Sequence, residues 1–453
     1  MKQKLFGVMA VVALCLLAAG NITPAAAAKD TGAPAVALNA TVETLDNGLK
    51  VILVEDHSVP VVSRQTFYRV GSRNEVPGIT GISHFIEHMM FNGAEKYGPK
   101  EFDRILESNG GYSNAFTSND VTAYYEDVSS DGLELVIDLD SDRMRSIAFD
   151  PKYVVSEMGV VMEERRMSVD NSVEGQLWED LDALAFKAHP YTWPVIGWMS
   201  DLEKIDRDDC VRYFRTYYSP NNAILIIVGD FDTKNAMELV RKYYGSIPAQ
   251  EPPEAVRTVE PPQLGERRAD VRRPAELPAV MMAWHTPSVL SDDIYALDVL
   301  DKILSGGESS RLYRRLVREM EAAVYAESSA PWRIDPYLFT IEVKMKPGRS
   351  TAEAEAAVYD ELAKIAADGV TADELDRAKN LLEADFVRSL QTVNGKARKI
   401  GRYEVLFGDY REIMDVPGKY RAVTAEQVRE AAEKYFTSDN RTVVTLVPEE
   451  AGS

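Results

Sequence analysis

Residues 81–93 read Gly-Ile-Ser-His-Phe-Ile-Glu-His-Met-Met-Phe-Asn-Gly. Two glycines frame a short helix, predicted over Ser83–Asn92. His84 and His88 are four residues apart, so a helix stands them one above the other on a single face. Both imidazoles can then reach one ion at about 2.0–2.1 Å, the bond length of zinc to histidine nitrogen. Glu87 precedes His88 by one residue and follows His84 by three, within reach of a water on that ion. Phe85, Ile86 and Met89 turn to other faces and are free to pack in a core. The chain holds only five histidines, and His57, His189 and His285 fall in strand-edge or loop contexts.

A catalytic zinc takes three protein ligands and keeps a fourth position for water, so an acidic third ligand is expected. A helix predicted over Pro151–Val169 offers Glu157, Glu163 and Glu164. Glu157 and Glu164 are nearly two turns apart and share a face, while Glu163 lies about 100° away. Spacing alone leaves the ligand open.

Around these helices the chain repeats itself. IDRDDCVRYFRTYYSPNNAILIIV (Ile205–Val228) aligns with VTAEQVREAAEKYFTSDNRTVVTL (Val423–Leu446) at a constant offset of 218. Each copy has a helix start (Asp206 or Thr424), an aromatic pair, a turn and an apolar strand. Between the copies, Ser246–Arg267 carries five prolines and no hydrophobic periodicity, the mark of a linker. The expected division is a metal-binding domain over 29–247, a Pro-rich linker over 248–265 and a metal-less domain over 266–453. Strands are predicted at Lys50–Val54, Val61–Val70, Thr122–Val128, Ala223–Val228, Ala279–His285, Leu338–Lys344 and Arg441–Val447. Further helices are predicted at Lys100–Asn109, Gly132–Ile147, Asp292–Leu304, Ser309–Met320, Thr351–Ala367 and Ala372–Leu390. The fold class is α+β: two duplicated domains, each a sheet backed by helices.

The 453 residues include 51 Lys plus Arg against 72 Asp plus Glu, a formal charge of −21. A nucleic-acid partner is not expected, because phosphate binding needs a cationic face. Lys2 and Lys4 precede a 15-residue apolar run, Leu5–Ala19, which is shorter than the roughly 20 residues that span a bilayer. Ala26-Ala27-Ala28 then offers a cleavage site. Residues 1–28 therefore read as a signal peptide, leaving an exported protein, periplasmic in a bacterium, with no integral membrane segment. Cys210 is the one cysteine remaining after cleavage, so no intramolecular disulfide can form.

GISHFIEHMMFNG, NAFTSNDVTAYYEDV and SEMGVVMEERRM together resemble the insulinase/pitrilysin metallopeptidases, the inverted zincins, and the resemblance runs the length of the mature chain. It implies one zinc per chain on His84, His88 and Glu164, Glu87 as general base, and Glu157 as an outer support. Zinc would lower the pKa of its water toward about 7 and Glu87 would take the proton. Asn114, Ala115 and Phe116 resemble the family's edge strand, which receives substrate by main-chain hydrogen bonding. GGESSRLYRRLVREMEAAVY is similar to the metal-less half, where Arg318 and Tyr325 would assist substrate and oxyanion. VREMEAAVY departs from the Gly that many relatives carry before the apolar residue and Tyr. The resemblance further implies half of a clamshell chamber, closed as a homodimer or as a heterodimer with a metal-less sister subunit. The activity implied is zinc-dependent endopeptidase action on unfolded peptides or short polypeptides. The alternatives are a non-catalytic scaffold or assembly subunit, and a peptide-binding chaperone.

Overall fold

The computed structural model describes residues 38–449, so the expected signal peptide lies outside the described residues. Two mixed sheets form the frame. The first has the order β1-β2-β6-β3-β5-β4, with β1 Ala40–Thr44, β2 Lys50–Glu55, β3 Val61–Tyr68, β4 Tyr112–Thr117, β5 Thr122–Ser129 and β6 Ala223–Gly229. The second has the order β7-β11-β8-β10-β9, with β7 Arg267–Pro274, β8 Ala279–Thr286, β9 Ala323–Ser329, β10 Tyr337–Met345 and β11 Arg441–Glu449.

The duplication is visible in the pairing. β2 runs parallel to β6, and β7 parallel to β11; each of the remaining pairs, β6-β3-β5-β4 and β11-β8-β10-β9, is antiparallel. Asp206 and Thr424 each close a capping box on the helix that follows, Arg207–Tyr217 and Ala425–Tyr435. Asn222 and Asn440, again 218 apart, donate to the last carbonyl of those helices, Tyr217 O and Tyr435 O, at 2.8 Å each. β4 and β9 are therefore equivalent edge strands. Residues 248–264 between the sheets form neither helix nor strand.

β6 reads as a continuous apolar run because both of its faces are covered. Leu225 and Ile227 join Val51 and Leu53 beneath the helices of the first half. Ile224, Ile226 and Val228 join Ile52 and Val54 on the other face, under Val393, Ala397 and Ile400. These last residues belong to helix Val393–Phe407, from the second half of the chain. The exchange is mutual: Leu177, Leu181 and Ala185 of helix Val173–Ala185 pack on Met281, Ala283 and Leu338 of the second sheet. Each sheet thus borrows one helix from the other half, and the described residues form one compact unit. Burying a leucine in such a seam contributes about 1.5–3 kcal/mol. Gly401 lets the borrowed helix approach closely, since a Cβ there would fall 2.2 Å from the Phe67 ring.

The predicted strands and most helices match to within a residue or two at their ends. Two helices do not. Pro151–Val169 is α-helical only to Arg165 and continues as a π-helical turn over Arg166–Asp170. Ser309–Met320 is largely π-helical, over Tyr313–Glu319, and Met320 N–H bonds Arg315 O at 3.0 Å. The wider turn takes up extra chain while keeping Leu312 and Leu316 buried. Among the described residues, no helix is long and apolar enough to cross a membrane.

Candidate metal centre

The histidine helix spans Ile82–Met89 and is seated by its own sequence. Gly81 opens it at φ +88°, and a Cβ there would meet Ile196 O at 2.4 Å, so only glycine fits. The Glu75 carboxylate accepts from Gly81 N–H at 2.8 Å and Ser83 N–H at 2.9 Å, satisfying donors that a helix start leaves open. Phe85, Ile86 and Met89 are fully buried and hold the helix in the core. The opposite face presents His84 and His88, their ring centroids 4.8 Å apart.

The facing helix, Pro151–Arg165, starts on Asp150, which accepts from Lys152 N–H at 2.8 Å, with Pro151 in the first turn. Val154, Met158, Val161 and Arg165 form its buried stripe. Arg165 pins the far end by donating to Gly197 O and Glu179, both at 2.7 Å. Glu157 and Glu164 therefore face the histidines. Glu163 points outward and pairs with Arg166 at 3.0 Å.

His84 Nε2 lies 3.8 Å from Glu164 Oε1, and His88 Nε2 lies 3.5 Å from Glu164 Oε2. One ligand atom from each of the three residues falls within 4.8 Å of the others. A tetrahedral zinc with bonds of about 2.0–2.1 Å sets its ligand atoms roughly 3.4 Å apart. The carboxylate–imidazole separations are close to that value and too long for direct hydrogen bonds. Two imidazoles and a carboxylate aimed at one point suit a zinc ion. His88 Nδ1 bonds Glu157 Oε1 at 2.9 Å, and Asn92 Nδ2 donates to Glu157 Oε2 at 3.0 Å. That contact leaves His88 Nε2 to face the common centre.

The electrostatics agree. Burial, then the neighbouring His88, pushes His84 down to about 4, so near neutral pH its imidazole is the uncharged form that ligates. Burial also pulls on His88, but the Glu157 hydrogen bond and the charges of Glu157, Glu164 and Glu87 outweigh it and raise its proton affinity. The His88 bond holds Glu157 below its ordinary value.

Glu87 is raised by burial, opposed by a hydrogen bond from Thr117. Thr117 Oγ1 donates to Glu87 Oε2 at 2.5 Å. Thr117 ends β4, the strand that carries Asn114, Ala115 and Phe116. β4 pairs only with β5 among the described residues, so its outer edge is unpaired. Asn114 is exposed, and its side chain donates to Tyr112 OH at 3.0 Å. Ala115 packs on the histidine side. The Phe116 side chain lies on the opposite face, 6.3 Å from Phe67 between centroids, with the Arg398 guanidinium 4.4 Å from its ring. At Phe116 only the main chain is offered at the edge.

The structure gathers His84, Glu87, His88, Glu157 and Glu164, and leaves Arg318 and Tyr325 outside that cluster. Arg318 is exposed, 4.0 Å from Glu308. Tyr325 sits on the edge strand β9 and donates its hydroxyl to Glu342 of β10. Between them Glu321 adopts φ +47°, the left-handed region that favours glycine, at the departure noted in VREMEAAVY. Thr117 and Asn92 were not singled out in the sequence. Asn92 lies four residues beyond His88, a helical spacing that could have flagged it.

Residues 50–197 match the family model described as Insulinase (Peptidase family M16), and residues 204–382 match that described as Peptidase M16 inactive domain. The zinc protease PqqE of Helicobacter pylori is 32% identical over 410 residues, 89% of this chain and 92% of that protein. The uncharacterized zinc protease YmxG of Bacillus subtilis is 26% identical over 396 residues, 87% and 95% of the two chains. The crystal structure of a protease from Helicobacter pylori matches with a TM-score of 0.86 at 32% identity, covering 91% of this chain and all of that one. The periplasmic protease PqqL from Escherichia coli shares the fold, with a TM-score of 0.75 at 20% identity over 92% of this chain and 48% of its own. By sequence and by fold, this chain belongs to the insulinase family, peptidase family M16.

Proposed function

We propose that the protein is an exported zinc endopeptidase acting on unfolded peptides or short polypeptides. The observation that carries this reading is the convergence of His84, His88 and Glu164 beside a half-buried Glu87 held by Thr117. Zinc on those three ligands would supply a water of lowered pKa and polarise a peptide carbonyl.

The remaining work falls to the chain. Glu87 Oε1 is free to accept a proton while Thr117 fixes Oε2, and burial raises the affinity that lets Glu87 hold the proton before passing it to the leaving amine. Glu157 and Asn92 keep His88 in its ligating tautomer. The open edge of β4 takes an extended peptide as an added strand through main-chain bonds, which tolerates varied side chains. Arg318 and Tyr325 are assigned to the substrate carbonyl or oxyanion across a chamber built with a second subunit. That subunit is either another copy or a metal-less sister, and the likeness to about half of PqqL supports a two-part enclosure. Export to a bacterial periplasm rests on the amino-terminal sequence pattern.

The test is Glu87→Gln. Bound zinc should stay near one per chain, while cleavage of a mixed peptide library falls by at least about a hundredfold, the usual contribution of a general base. Undiminished cleavage would reject the role of Glu87. Absence of chelator-sensitive cleavage in the parent protein would favour the scaffold reading instead.

A further inference from the structure

A cavity of about 290 Å³ opens between the last turn of helix Leu133–Arg145, helix Arg207–Tyr217 and the chain that follows helix Thr233–Tyr244. That size is at the lower edge of the roughly 300–1,000 Å³ of small-molecule sites. None of its lining residues belongs to the metal centre or to β4. The floor is apolar and largely aromatic. Phe149 and Phe214 meet edge to face with ring centroids 5.8 Å apart, and Phe214 and Tyr218 stack at 5.4 Å. Met144 and Ile247 complete it, and all five residues are buried.

The rim is exposed and carries Arg145, Arg207 and Arg215, and among the described residues no carboxylate lines this cavity. Arg145 and Arg215 stand in the last turns of their helices, where a cation is favoured. Arg145 Nη2 donates to Ser246 Oγ at 3.1 Å and to Tyr243 O at 3.4 Å, and the residue has no carboxylate partner among the described residues. Arg215 makes no hydrogen bond or ion pair among them. Arg207 is the compensated member: its Nε donates to Phe149 O at 2.9 Å and its Nη1 lies 3.6 Å from Asp208. The other acids at that helix start are engaged, Asp206 and Asp209 in their capping box and Asp209 also with Arg212. A helix C-terminus carries about half a negative charge, so two such ends offset about one of the two charges on Arg145 and Arg215. In a chain of net charge −21, the remainder is an island of positive potential. Ser219 lines the same cavity, is 2% exposed, and its hydroxyl has no partner. It precedes the turn Pro220–Asn222 without capping it. A buried donor left open is costly until something accepts from it.

We propose that this cavity binds a small aromatic carboxylate, with its ring on Phe149, Phe214 and Tyr218 and its carboxylate on the guanidinium groups of Arg145 and Arg215. A guanidinium fork matches the two oxygens of a carboxylate, and an aromatic floor favours a ring through stacked or edge-to-face contact. The site is separate from the metal centre and takes nothing from the proposed function. The test is calorimetric titration of the protein with 3-phenylpropanoate, its amide 3-phenylpropanamide, and inorganic phosphate. The acid should bind about tenfold or more tightly than either of the others, a difference of at least one decade in Kd. The amide keeps the ring without the charge, and phosphate keeps the charge without the ring. Arg215→Gln should bring the acid down to the affinity of the amide. Arg145→Gln should weaken the acid and leave the amide unchanged, which keeps the test readable if the first variant fails to fold. Equal binding of acid and amide overturns the proposal, and so does phosphate binding as tightly as the acid, the behaviour of a bare cationic patch. An acid preference that survives intact in folded Arg215→Gln or Arg145→Gln also overturns it, since the carboxylate would then sit elsewhere, on the metal centre for instance.

Discussion

Thr117 is thirty residues from Glu87 in the chain, yet its hydroxyl fixes one oxygen of that carboxylate. The same residue ends the edge strand expected to receive substrate, so a peptide docking on β4 would bear directly on the residue that holds Glu87. Hydrogen bonds to charged groups are worth about 1.5–3 kcal/mol. Thr117→Val keeps the shape and removes the donor; kcat is expected to fall roughly 10- to 100-fold, with KM and zinc content little changed. Thr117→Ser should restore most of the rate. A Thr117→Val enzyme with parental kcat in steady-state assays would leave the residue with a packing role only. The His84–Glu87–His88 pattern was legible because helical periodicity puts these side chains on known faces. Thr117 was not, because a contact between a helix and a strand edge has no local spacing to betray it.

The borrowed helices carry the next set of consequences. Asp182, on helix Val173–Ala185, accepts from Tyr337 OH of β10 at 3.0 Å and is pushed up to about 7, chiefly by burial. A carboxyl with a folded pKa above its unfolded value of 3.8 contributes stability that is complete below the unfolded value and is lost as pH rises toward about 7. Urea midpoints should therefore fall between pH 5 and pH 8. Asp182→Asn keeps a carbonyl for Tyr337 and should flatten that fall relative to the parent, so that titrations shared by both proteins cancel. Parallel midpoint curves for the two would show that Asp182 is ionised throughout. On the other borrowed helix, Gly401→Ala places a methyl 2.2 Å from a fully buried Phe67 ring. Overpacking of about 1–3 kcal/mol should outweigh the helix-propensity gain of roughly 1 kcal/mol. Calorimetry should then show a lower Tm; an unchanged or higher Tm would mean the seam is looser than its geometry. Neither borrowed helix was marked in the sequence as crossing halves, because an amphipathic pattern says that a face is buried and not which sheet buries it.

For the molecule as a whole, the proposed chamber needs a second subunit to present Arg318 and Tyr325. In this chain Arg318 is exposed and the Tyr325 hydroxyl rests on Glu342. Sedimentation of the active fraction should give two chains per particle, and dilution that separates them should reduce cleavage with zinc retained. Full activity in a monomeric fraction would defeat the chamber while leaving the metal centre intact. Local pattern carried a large share of the architecture: alternation and capping marked the strands and helices, the 218-residue offset exposed the duplication, and H-x-x-E-H singled out His84, Glu87 and His88, which the structure gathers with Glu157 and Glu164. Such features depend on neighbours within a few turns of chain, which the order of residues contains. The choice among Glu157, Glu163 and Glu164 by geometry, the hold of Thr117 on Glu87, the placement of Phe116 on the far face and the exchange of helices between sheets depend on how distant segments pack. That packing minimises exposed apolar surface over the entire chain at once, and no single stretch of sequence encodes it.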